Sequence, residues 1–534
     1  NRKTCLNSYQ IHTMNATTIE CFNPATGEKL GEVPAASAEQ VQAIIARARV
    51  AQTAWAQTSF AQRRAVFRTL LATILQNMDA ICAAVVQDGG KTFENAALGE
   101  VMTVANKLRW LIQNGERYLK TEKVSMGGPL LHKKGRIEYR PLGVVACIVP
   151  WNYPFQNIFA SFADPLMAGN AVVLKASEAV AWSTQYFQQL INSVFDQHGI
   201  SRDTVQIING YGDTGAALVR AGVQKILFIG SVGNGRRIVA GSAETLTPTV
   251  MELGGKDPLI VCDDADLDRA VHSALGGCLV NLGQSCVAPE RILVQAGIYE
   301  RFVQQIQSVA SQLRQGHAAQ PGSVDVGAIC SPLQVKVIED LVDDALASGA
   351  KAIVGGKRLT EGAYAKGNFF APTVLVDVSP DMRIAQEEVF GPVLLIMKFE
   401  RDADAVRIAN GSVFGLQSSV FSKSQARAER IASQIDAGAT VLNDFGMCYL
   451  NQNLPFGGVK ESGFGRMNGR DGLRGYTNPK AVLKDRFWNL GVVPKLYPVK
   501  DADYVQARRM IRLMFAPSWL QKLRFLGKQA GDRL

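Results

Sequence analysis

Residues 143–149 read Gly-Val-Val-Ala-Cys-Ile-Val, a short apolar run that ends at Pro150. A run of this length is typical of a parallel strand that is buried on both faces. Further apolar runs alternate downstream with helical patterns, with strands at 171–174, 204–208 and 225–229 and helices at 181–198 and 213–221. This alternation predicts a doubly wound α/β sheet.

A second alternation of strands and helices runs from 258 to about 440. Upstream, Asn-Pro and Thr-Gly turn signals predict a small hairpin over 20–34. Ser37 caps the first of several helices that fill about 38–120, and the alternating basic stretch 130–139 is typical of an exposed ribbon. The chain of 534 residues is therefore expected to hold two or three domains.

The composition is that of a soluble globular protein, with 47% hydrophobic and 19% charged residues. The formal net charge is +10, but the stretch from Lys495 to the end carries nine Lys and Arg against three Asp, a net of +6. The rest of the chain is therefore close to neutral, and no part of it combines basic clusters with stacking aromatic residues. We expect no nucleic-acid partner.

The nine cysteines are scattered, and none forms a Cys-x-x-Cys pair. This pattern predicts free thiols in a reducing intracellular compartment. The five histidines do not cluster with the cysteines, so no metal site is expected. No apolar run reaches the ~18 residues that a membrane-spanning helix requires. Because the chain begins at Asn1 rather than at methionine, an upstream anchor or targeting peptide stays open.

A cysteine follows a thin turn at Gly283-Gln284-Ser285-Cys286. A lone cysteine is most often a small core residue, but the glycine and the serine leave access to the sulfur, which a reactive thiol requires. No histidine lies nearby in sequence, which disfavours a Cys–His protease. His272 is the nearest, and its simplest interpretation is a residue on a hydrophobic face.

Glu252 ends the apolar strand 249–251, where a carboxylate is costly unless it is paired or functional. Burial would raise its pKa towards neutrality, which suits a general base; the alternative is a capping or ion-paired glutamate. Asn152 lies between Pro150 and Pro154, so its amide could donate to a developing oxyanion or could only form an Asx turn.

Lys175, Ser177 and Glu178 follow the strand 171–174, at the position where an open α/β sheet binds ligands. Glu178 could hold two ribose hydroxyls, which favours NAD over its 2′-phosphorylated form; the alternative is a surface ion pair between the lysine and the glutamate. The stretch 230–235 departs from Gly-x-Gly-x-x-Gly, and on its own it is weak evidence for a nucleotide and fits a simple turn.

From about Glu20 to about Asn489 the chain resembles the aldehyde dehydrogenase superfamily. The resemblance rests on seven motifs in the family's order: Pro150-Trp-Asn-Tyr-Pro, Lys175-Ala-Ser-Glu, Phe228-Ile-Gly-Ser-Val, Met251-Glu-Leu-Gly-Gly-Lys-Asp-Pro, Gly283-Gln-Ser-Cys, Glu387-Glu-Val-Phe-Gly-Pro-Val and Pro455-Phe-Gly-Gly-Val-Lys-Glu-Ser-Gly. Seven chance matches in the right order are implausible. The alternative interpretations given above for single residues are therefore strongly disfavoured.

The resemblance implies Cys286 as the nucleophile, Glu252 as the base that activates water and Asn152 as the oxyanion donor. It also implies an NAD site, with NADP less favoured, and no metal. The implied NAD contacts are Trp151, Lys175, Ser177, Glu178, Gly230, Ser231, Gly254, Glu388 and Phe390. The stretches 256–258 and 456–458 resemble the walls of the site.

The implied fold class is α/β and aldehyde-dehydrogenase-like, with two doubly wound Rossmann-type domains and a small oligomerisation β-ribbon. The expected parts are an N-terminal segment 1–19, an NAD-binding domain 20–125 and 142–253, ribbon strands 126–141 and 475–489, a catalytic domain 254–474 and a basic amphipathic C-terminal extension 490–534. The ribbon implies a homodimer or homotetramer.

Two positions depart from the family's usual residues, with Ile229 in place of threonine and Ala176 in place of proline. Neither change removes a catalytic group, and both leave the cofactor affinity open. The stretches 443–445 and 156–158 and the C-terminal extension resemble a membrane-associated eukaryotic branch of the superfamily.

The extension has helical patterns at 507–515 and 519–526. In the second pattern, one helical face carries Trp519, Leu520, Leu523 and Leu526. Lys522 and Arg524 point away from this face. A basic amphipathic helix with a tryptophan is typical of a membrane interface, and packing on the protein's own body or on a partner protein is an equal alternative. A membrane-associated location, mitochondrial or endomembrane, therefore stays open.

The implied function is NAD-dependent oxidation of an aldehyde to a carboxylic acid through a cysteine thiohemiacetal and thioester. A second hypothesis is a catalytically silent scaffold subunit of this fold, docked in a larger or membrane assembly. A third, an acylating enzyme that uses coenzyme A, is disfavoured because it would not need Glu252. Phe159, Val287 and Phe456 suggest an apolar aldehyde, whereas Asp444 could instead face an amine.

Overall fold

The apolar runs of the sequence form the buried strands of two mixed, mainly parallel sheets in the computed structural model. The structure describes residues 17–127, 130, 132–486 and 497–527, without the side chains of residues 501, 526 and 527. The predictions for the remaining residues, and the place of Leu526 on the apolar face of the extension, lie outside the described residues. The chain divides into a larger unit, Asn1–Tyr118 and Pro141–Thr477, and a smaller unit, Leu119–Arg140 and Asn478–Leu534.

The strands are, in chain order, β1 Thr18–Phe22, β2 Lys29–Pro34, β3 Glu122–Val124, β4 Lys133–Pro141, β5 Val144–Ile148, β6 Ala171–Lys175, β7 Val205–Ile208, β8 Lys225–Ile229, β9 Thr249–Glu252, β10 Pro258–Val261, β11 Arg291–Gln295, β12 Lys351–Val354, β13 Arg358–Leu359, β14 Phe369–Phe370, β15 Thr373–Val376, β16 Val393–Phe399, β17 Gln417–Phe421, β18 Ala439–Leu442, β19 Gly463–Phe464 and β20 Thr477–Asp485.

The α-helices are α1 Ala38–Ala56, α2 Phe60–Gln76, α3 Met78–Gly89, α4 Phe93–Asn95, α5 Thr103–Leu119, α6 Pro154–Met167, α7 Ala181–Gln197, α8 Gly212–Arg220, α9 Val232–Ala243, α10 Leu267–Leu279, α11 Tyr299–Ala310, α12 Pro332–Ala347, α13 Arg383–Gln386, α14 Asp402–Asn410, α15 Gln425–Ala432, α16 Met447–Leu450, α17 Gly469–Arg474, α18 Asp501–Phe515 and α19 Trp519–Gly527. A π-helix, Ala96–Met102, lies between α4 and α5.

The first sheet has the order β19-β9-β8-β5-β6-β7, in which only the short β19 is antiparallel. The chain order reverses between β5 and β8, which leaves a crevice at the carboxyl ends of these two strands. Val144, Ala146 and Ile148 pack into a core with α1 and α8. Cys147 faces α6, where its thiol donates to the Ser161 carbonyl at 3.5 Å. The predicted doubly wound sheet is therefore confirmed.

The second sheet has the order β12-β15-β16-β11-β10-β17-β18, in which only β12 is antiparallel. Ile260 faces a core that includes α12, whereas its neighbours Leu259 and Val261 face α10 and α11. Both faces are thus covered, as a parallel sheet requires. After this sheet the chain returns through β19, whose Gly463 pairs with Glu252 of β9.

The segment before the first sheet follows the sequence prediction. β1 and β2 form the expected antiparallel hairpin, and Ser37 caps α1 with a capping box that includes Gln40. Among the described residues no single helix is both long and apolar enough to cross a membrane. The helices α2 and α3, which are bent by 71° at the break between them, reach the length and composition of a membrane span only when taken together.

The smaller unit contains a three-stranded ribbon, in which β3 and β4 are antiparallel, and the end of the described chain. The ribbon has the order β20-β4-β3, with Glu122 opposite Ile137. α18 and α19 confirm the two helical patterns of the extension, and Pro517 lies in the break between them. Large apolar side chains are exposed on both helices: Tyr504, Val505, Met510, Ile511, Phe515, Trp519, Leu520 and Leu523.

Candidate active site

Loops from both sheets of the larger unit meet at one cavity. Asn152 follows β5 and Glu252 ends β9, so both lie at the carboxyl end of the first sheet. Cys286 precedes β11 and Glu388 precedes β16, so both come from the amino end of the second sheet. All four residues line a cavity of about 470 Å³. Sequence positions that are far apart are thus brought together, as the resemblance implied.

A left-handed turn presents Cys286. Asn281, Leu282 and Gly283 have φ values of 52°, 56° and 68°, a run that is strained for residues with a side chain. A Cβ on Gly283 would overlap the Gly391 carbonyl oxygen and approach the Cys278 carbonyl oxygen to 2.8 Å. The chain therefore requires glycine here, and the thiol three residues later is half-buried at the cavity.

The Glu252 carboxylate lies against the Cys286 thiol. Burial raises the pKa of Glu252 to about 7, and the hydrogen bond with Cys286 lowers it in part. The pKa of Cys286 is raised well above its ordinary value by burial and by the negative charge of Glu252. The carboxylate can therefore take up a proton near neutral pH, and the thiol needs such an acceptor to become nucleophilic.

The Asn152 side chain is held at both ends. Its Nδ2 donates to the Gln284 carbonyl at 3.0 Å, and its Oδ1 accepts from Asn157 Nδ2 at 3.0 Å. The Asn281 side chain also donates to the Asn152 carbonyl, at 2.7 Å. An amide carries two N–H groups, so after the bond to Gln284 one hydrogen remains for a ligand. This geometry suits an oxyanion donor and is more than an Asx turn.

A buried ion pair supports the same loop, and sequence reasoning missed it. Lys91 Nζ lies 2.6 Å from Glu100 Oε1 and donates to the Asn152 carbonyl at 2.7 Å. Glu100 Oε2 accepts from the Gln156 backbone N–H at 2.7 Å, at the start of α6. Burial lowers the pKa of Lys91 and raises that of Glu100. Lys91 follows two glycines after α3, and nothing in that local pattern indicates that it reaches Asn152.

On the other side of Cys286 the cavity has the features of a cofactor cleft. The Glu388 carboxylate accepts from the Gly255 backbone N–H at 2.9 Å. A Cβ on Gly254 would approach Glu388 Oε1 to 2.6 Å, so glycine leaves room for this contact. The rings of Trp151 and Phe390 meet edge to face with centroids 5.5 Å apart. Burial, followed by the nearby charge of Glu290, raises the pKa of Glu388 to about 8.

The loop that carries Glu388 is fixed by a second buried ion pair. Glu290 Oε2 lies 2.5 Å from Lys256 Nζ and accepts from the Val389 backbone N–H at 2.7 Å. Glu290 Oε1 accepts from the Phe390 backbone N–H, also at 2.7 Å. Lys256 was predicted as a wall of the site, and the structure gives it this supporting contact instead of a place in the cavity lining.

The remaining cofactor candidates divide into two groups. Gly230 and Ser231 line the cavity, and Ser231 caps α9, whose N-terminus follows β8 directly. Lys175, Ser177 and Glu178 do not line this cavity; they follow β6, the neighbour of β5. Lys175 Nζ is 3.3 Å from Glu178 Oε2, and the glutamate side chain is about half exposed. The predicted ion pair is therefore present beside a carboxylate that is open to a ligand.

The other end of the cavity is mainly apolar. Three interpretations made from the sequence, those of Phe159, Asp444 and His272, are wrong. Val287 and Phe456 line it, but Phe159 does not, because it is buried against Phe155, Phe162 and Phe187. Helix geometry explains the difference: positions 155, 159 and 162 share one face of α6, while 153, 156 and 157 share the face at the cavity.

The other two corrections concern charged or polar groups outside the lining. Asp444 does not line the cavity; its carboxylate lies 3.8 Å from Arg269. His272 is exposed and contacts the Asp268 carbonyl at 2.9 Å, so it is not packed on a hydrophobic face. Across the part of the chain that the structure describes, no cluster of three or more metal-ligating side chains occurs, and all eight cysteines are free thiols.

Comparisons with known proteins find similarity over most of the chain. The aldehyde dehydrogenase family model matches residues 11–482. An aldehyde dehydrogenase-like protein of Schizosaccharomyces pombe is 38% identical over 91% of this chain and 94% of that protein. The 4,4′-diapolycopene aldehyde oxidase of a Methylomonas species is 36% identical over 95% and 93% of the two chains. The structure of Staphylococcus aureus betaine aldehyde dehydrogenase in complex with NAD⁺ superposes with a TM-score of 0.82 at 32% identity, covering 89% of this chain and 93% of that one.

Proposed function

The chain belongs to the aldehyde dehydrogenase family, and on that premise we propose that it oxidises an aldehyde to a carboxylic acid, with NAD as hydride acceptor and Cys286 as nucleophile. The observation that carries this proposal is the single cavity in which the Cys286 thiol, the Glu252 carboxylate and the Asn152 amide meet. The NAD⁺ complex of the related betaine aldehyde dehydrogenase supports the choice of cofactor.

The first step of the proposed reaction is the activation of Cys286. Glu252, with a pKa of about 7, takes the thiol proton through the hydrogen bond that joins the two side chains. The sulfur then attacks the carbonyl carbon, and the carbonyl electron pair moves onto oxygen. The free N–H of the Asn152 amide and the backbone N–H of Cys286 donate to this oxyanion.

The second half of the reaction releases the acid. A nicotinamide cofactor held by Gly230, Ser231, Gly254 and Glu388 would supply the hydride acceptor, and loss of hydride from the tetrahedral carbon, as the oxyanion re-forms the carbonyl, would leave a thioester on Cys286. Glu252, after passing the thiol proton to solvent, takes a proton from water, the water oxygen attacks the thioester carbonyl, and Cys286 leaves as the thiolate while the acid forms. Because Glu252 touches the thiol, the same carboxylate is close to both the first and the last bond change.

The residues present fit a dinucleotide. The N-terminus of the 12-residue α9, with Gly230 and Ser231 before it, suits a pyrophosphate. Glu388 and Gly254 would hold the nicotinamide ribose, and Trp151 and Phe390 would pack beside the ring. The Glu178 carboxylate would accept from ribose hydroxyls and would repel a 2′-phosphate, which favours NAD over NADP.

The direct test is NADH formation, followed by absorbance, with purified protein, NAD⁺ or NADP⁺ and a panel of aldehydes. We expect turnover with NAD⁺ and weaker turnover with NADP⁺. The scaffold hypothesis predicts no turnover with any aldehyde, and such a result with folded, NAD-binding protein would favour it. The acylating hypothesis predicts dependence on coenzyme A, and the proposal predicts none.

The ribbon supports a proposal of a homodimer or homotetramer. β3 and β20 are the edge strands of the three-stranded sheet, and edge strands offer unpaired backbone groups to another chain. Light scattering coupled to size exclusion should give a mass of two or four times the 57.8 kDa chain. A monomer at micromolar concentration would contradict the proposal.

We also propose that α18 and α19 bind an anionic membrane surface. Phe515, Trp519 and Leu523 are exposed, and Arg508, Arg512 and Arg524 lie on the same two helices. The full-length chain should float with vesicles that contain phosphatidylserine, and Trp519→Glu should weaken this more than Leu246→Glu, an exposed leucine of the larger unit. Equal flotation of the two variants would contradict the membrane proposal and would favour binding to a partner protein.

A further inference from the structure

We infer that the substrate of this site is an uncharged aldehyde with a hydrocarbon tail, and that the tail runs from Cys286 past an apolar rim formed by Leu98, Met102 and Met447. This inference rests on the proposed function and adds the substrate class.

The charge of the cavity lining is the first observation. Among the residues that the structure describes, the charged ones that line it are Glu252 and Glu388, and the proposed chemistry and cofactor use both. Asp444, the nearest candidate for an amine partner, lies outside the lining and is paired with Arg269. A charged group at the far end of a substrate would therefore lose its hydration and meet no opposite charge.

The second observation is that the polar side chains of this wall are already paired. The Gln156 amide donates to the Tyr449 hydroxyl. Asn157 Nδ2 donates to Asn152 Oδ1 at 3.0 Å, and the Thr103 hydroxyl donates to the Leu98 carbonyl at 3.3 Å. A hydrocarbon covers groups that are bonded to each other at a lower desolvation cost than groups without a partner.

The third observation is the rim. Leu98 and Met102 lie four residues apart on the π-helix, and both line the cavity while remaining 58% and 45% exposed. Met447 of α16 also lines it and is 45% exposed. Exposed thioether and aliphatic groups at a cavity mouth are costly to hydrate and adapt readily to a flexible chain. Deeper in, Val280, Val287 and Phe456 continue the apolar surface.

Aromatic rings in the same wall give the competing hypothesis. Phe445 packs over Gly276 and Gly277, where a Cβ would come within 3.3 Å and 3.1 Å of the ring, and Tyr449 meets Phe456 edge to face. Rings can bind a quaternary ammonium group through cation–π contacts. The absence of any lining carboxylate other than Glu252 and Glu388, among the described residues, favours the uncharged tail.

The experiment uses the full chain with NAD⁺ and two comparisons of kcat/KM. The first is a series of unbranched aldehydes from propanal to decanal, for which we expect a rise of about fourfold per added methylene until the tail leaves the cavity. The second is an isosteric pair, 3,3-dimethylbutanal and betaine aldehyde, which differ in a carbon or a positive nitrogen at the branch. We expect the uncharged member to be favoured at least tenfold.

Variants test the rim itself. Met102→Glu should lower kcat/KM for decanal at least tenfold and should lower the ratio of decanal to propanal. Met78→Glu makes the same change at an exposed methionine that does not line the cavity, and it should leave both values unchanged. Three results would each overturn the inference: a kcat/KM that does not change with chain length, a preference for betaine aldehyde, or equal behaviour of the two variants. Oxidation of propanal in the same assays would still support the proposed function. An absence of turnover with every aldehyde would overturn both the inference and the proposed function.

Discussion

At the residue scale, the site depends on one acid and one thiol that share a buried environment. Burial raises the pKa of both Cys286 and Glu252; the carboxylate raises that of Cys286 further, whereas the thiol lowers that of Glu252 in part. The two pKa values are thereby pushed apart, so the proton rests on the thiol and moves to the carboxylate only as the sulfur reacts. The sequence indicated the residue types, and their contact is what makes the exchange plausible at neutral pH.

The nucleophile gives the first prediction. Cys286→Ala should abolish NADH formation while NAD⁺ binding, measured by fluorescence or calorimetry, persists. Cys448→Ala is the matched control, because Cys448 is also half-buried but does not line the cavity, and its activity should stay within twofold. Oxidation of aldehydes by Cys286→Ala at the normal rate would remove Cys286 from the mechanism.

The base gives the second prediction. A general base must be ionised, so kcat limited by thioester hydrolysis should rise with pH through about 7, the pKa of Glu252, and become level above it. Glu252→Gln should lower kcat by ~10²–10⁴ and flatten this limb. If the limb persists in Glu252→Gln but disappears in Glu388→Gln, the titrating group is Glu388, whose pKa is about 8.

At the element scale, the segments between strands decide the geometry. The left-handed turn at 281–283 and the π-helix Ala96–Met102 are both irregular, and both touch the cavity. Irregular backbone of this kind is costly, so it persists where the surrounding contacts enforce it and a function uses it.

Gly283 gives the third prediction. Gly283→Ala combines a positive φ with overlap on the Gly391 carbonyl, so we expect at least a hundredfold loss of activity or loss of soluble protein. Gly322→Ala is matched, since φ is +70° there and a Cβ would meet nothing within 4 Å. It should cost only ~1 kcal/mol in the free energy of unfolding and should keep activity. Similar behaviour of the two variants would show that the turn does not determine the position of Cys286.

The ion pair of Lys91 and Glu100 gives the fourth prediction. Glu100→Gln leaves a buried ammonium without its carboxylate, so it should destabilise the protein by ~3–5 kcal/mol in chemical denaturation. The double variant Lys91→Met, Glu100→Leu removes both charges and should recover most of this stability. It should still have a lower kcat, because the Asn152 carbonyl has lost Lys91 as a donor and keeps Asn281. Full activity in a stable double variant would show that the pair does not position Asn152.

At the scale of the whole molecule, buried carboxylates make stability depend on pH. The pKa of Glu252 is raised from 4.5 to about 7 on folding, so the folded state holds the proton more tightly. The stability that this group contributes is complete below pH 4.5 and is lost as pH rises through about 7. Other raised carboxyl groups act in the same direction, among them Asp88, with a pKa of about 7.

The fifth prediction follows from that sign. Glutamine cannot ionise, so Glu252→Gln should keep at pH 8 the stability that the native chain loses, about 3 kcal/mol for a shift of this size. The difference in melting temperature between the variant and the native chain should therefore widen from pH 5 to pH 8 at one scan rate. A difference that is constant across this range would show that Glu252 is not buried as an acid.

Much of the fold was predictable because it depends on local periodicity. The run at 143–149 is apolar at every position, and that at 225–229 is apolar after Lys225; such runs are typical of strands that are covered on both faces, and both are strands. The helical face of Trp519, Leu520 and Leu523 was also correct, because side-chain direction repeats along a helix. Phe159 was wrong for the complementary reason: periodicity shows that a side chain is buried, and it does not show against what.

By itself the sequence determined the order of strands and helices, the family, and the residue types of the reaction, because these follow from spacing and from motifs that are contiguous in the chain. Only the tertiary structure decided that Lys91 supports Asn152, that Asp444 lies near Arg269 and outside the cavity lining, and that the described residues of the lining carry no charge besides Glu252 and Glu388. The physical reason is that pKa values and binding preferences depend on distances between groups, and folding sets those distances between positions that the linear chain keeps far apart.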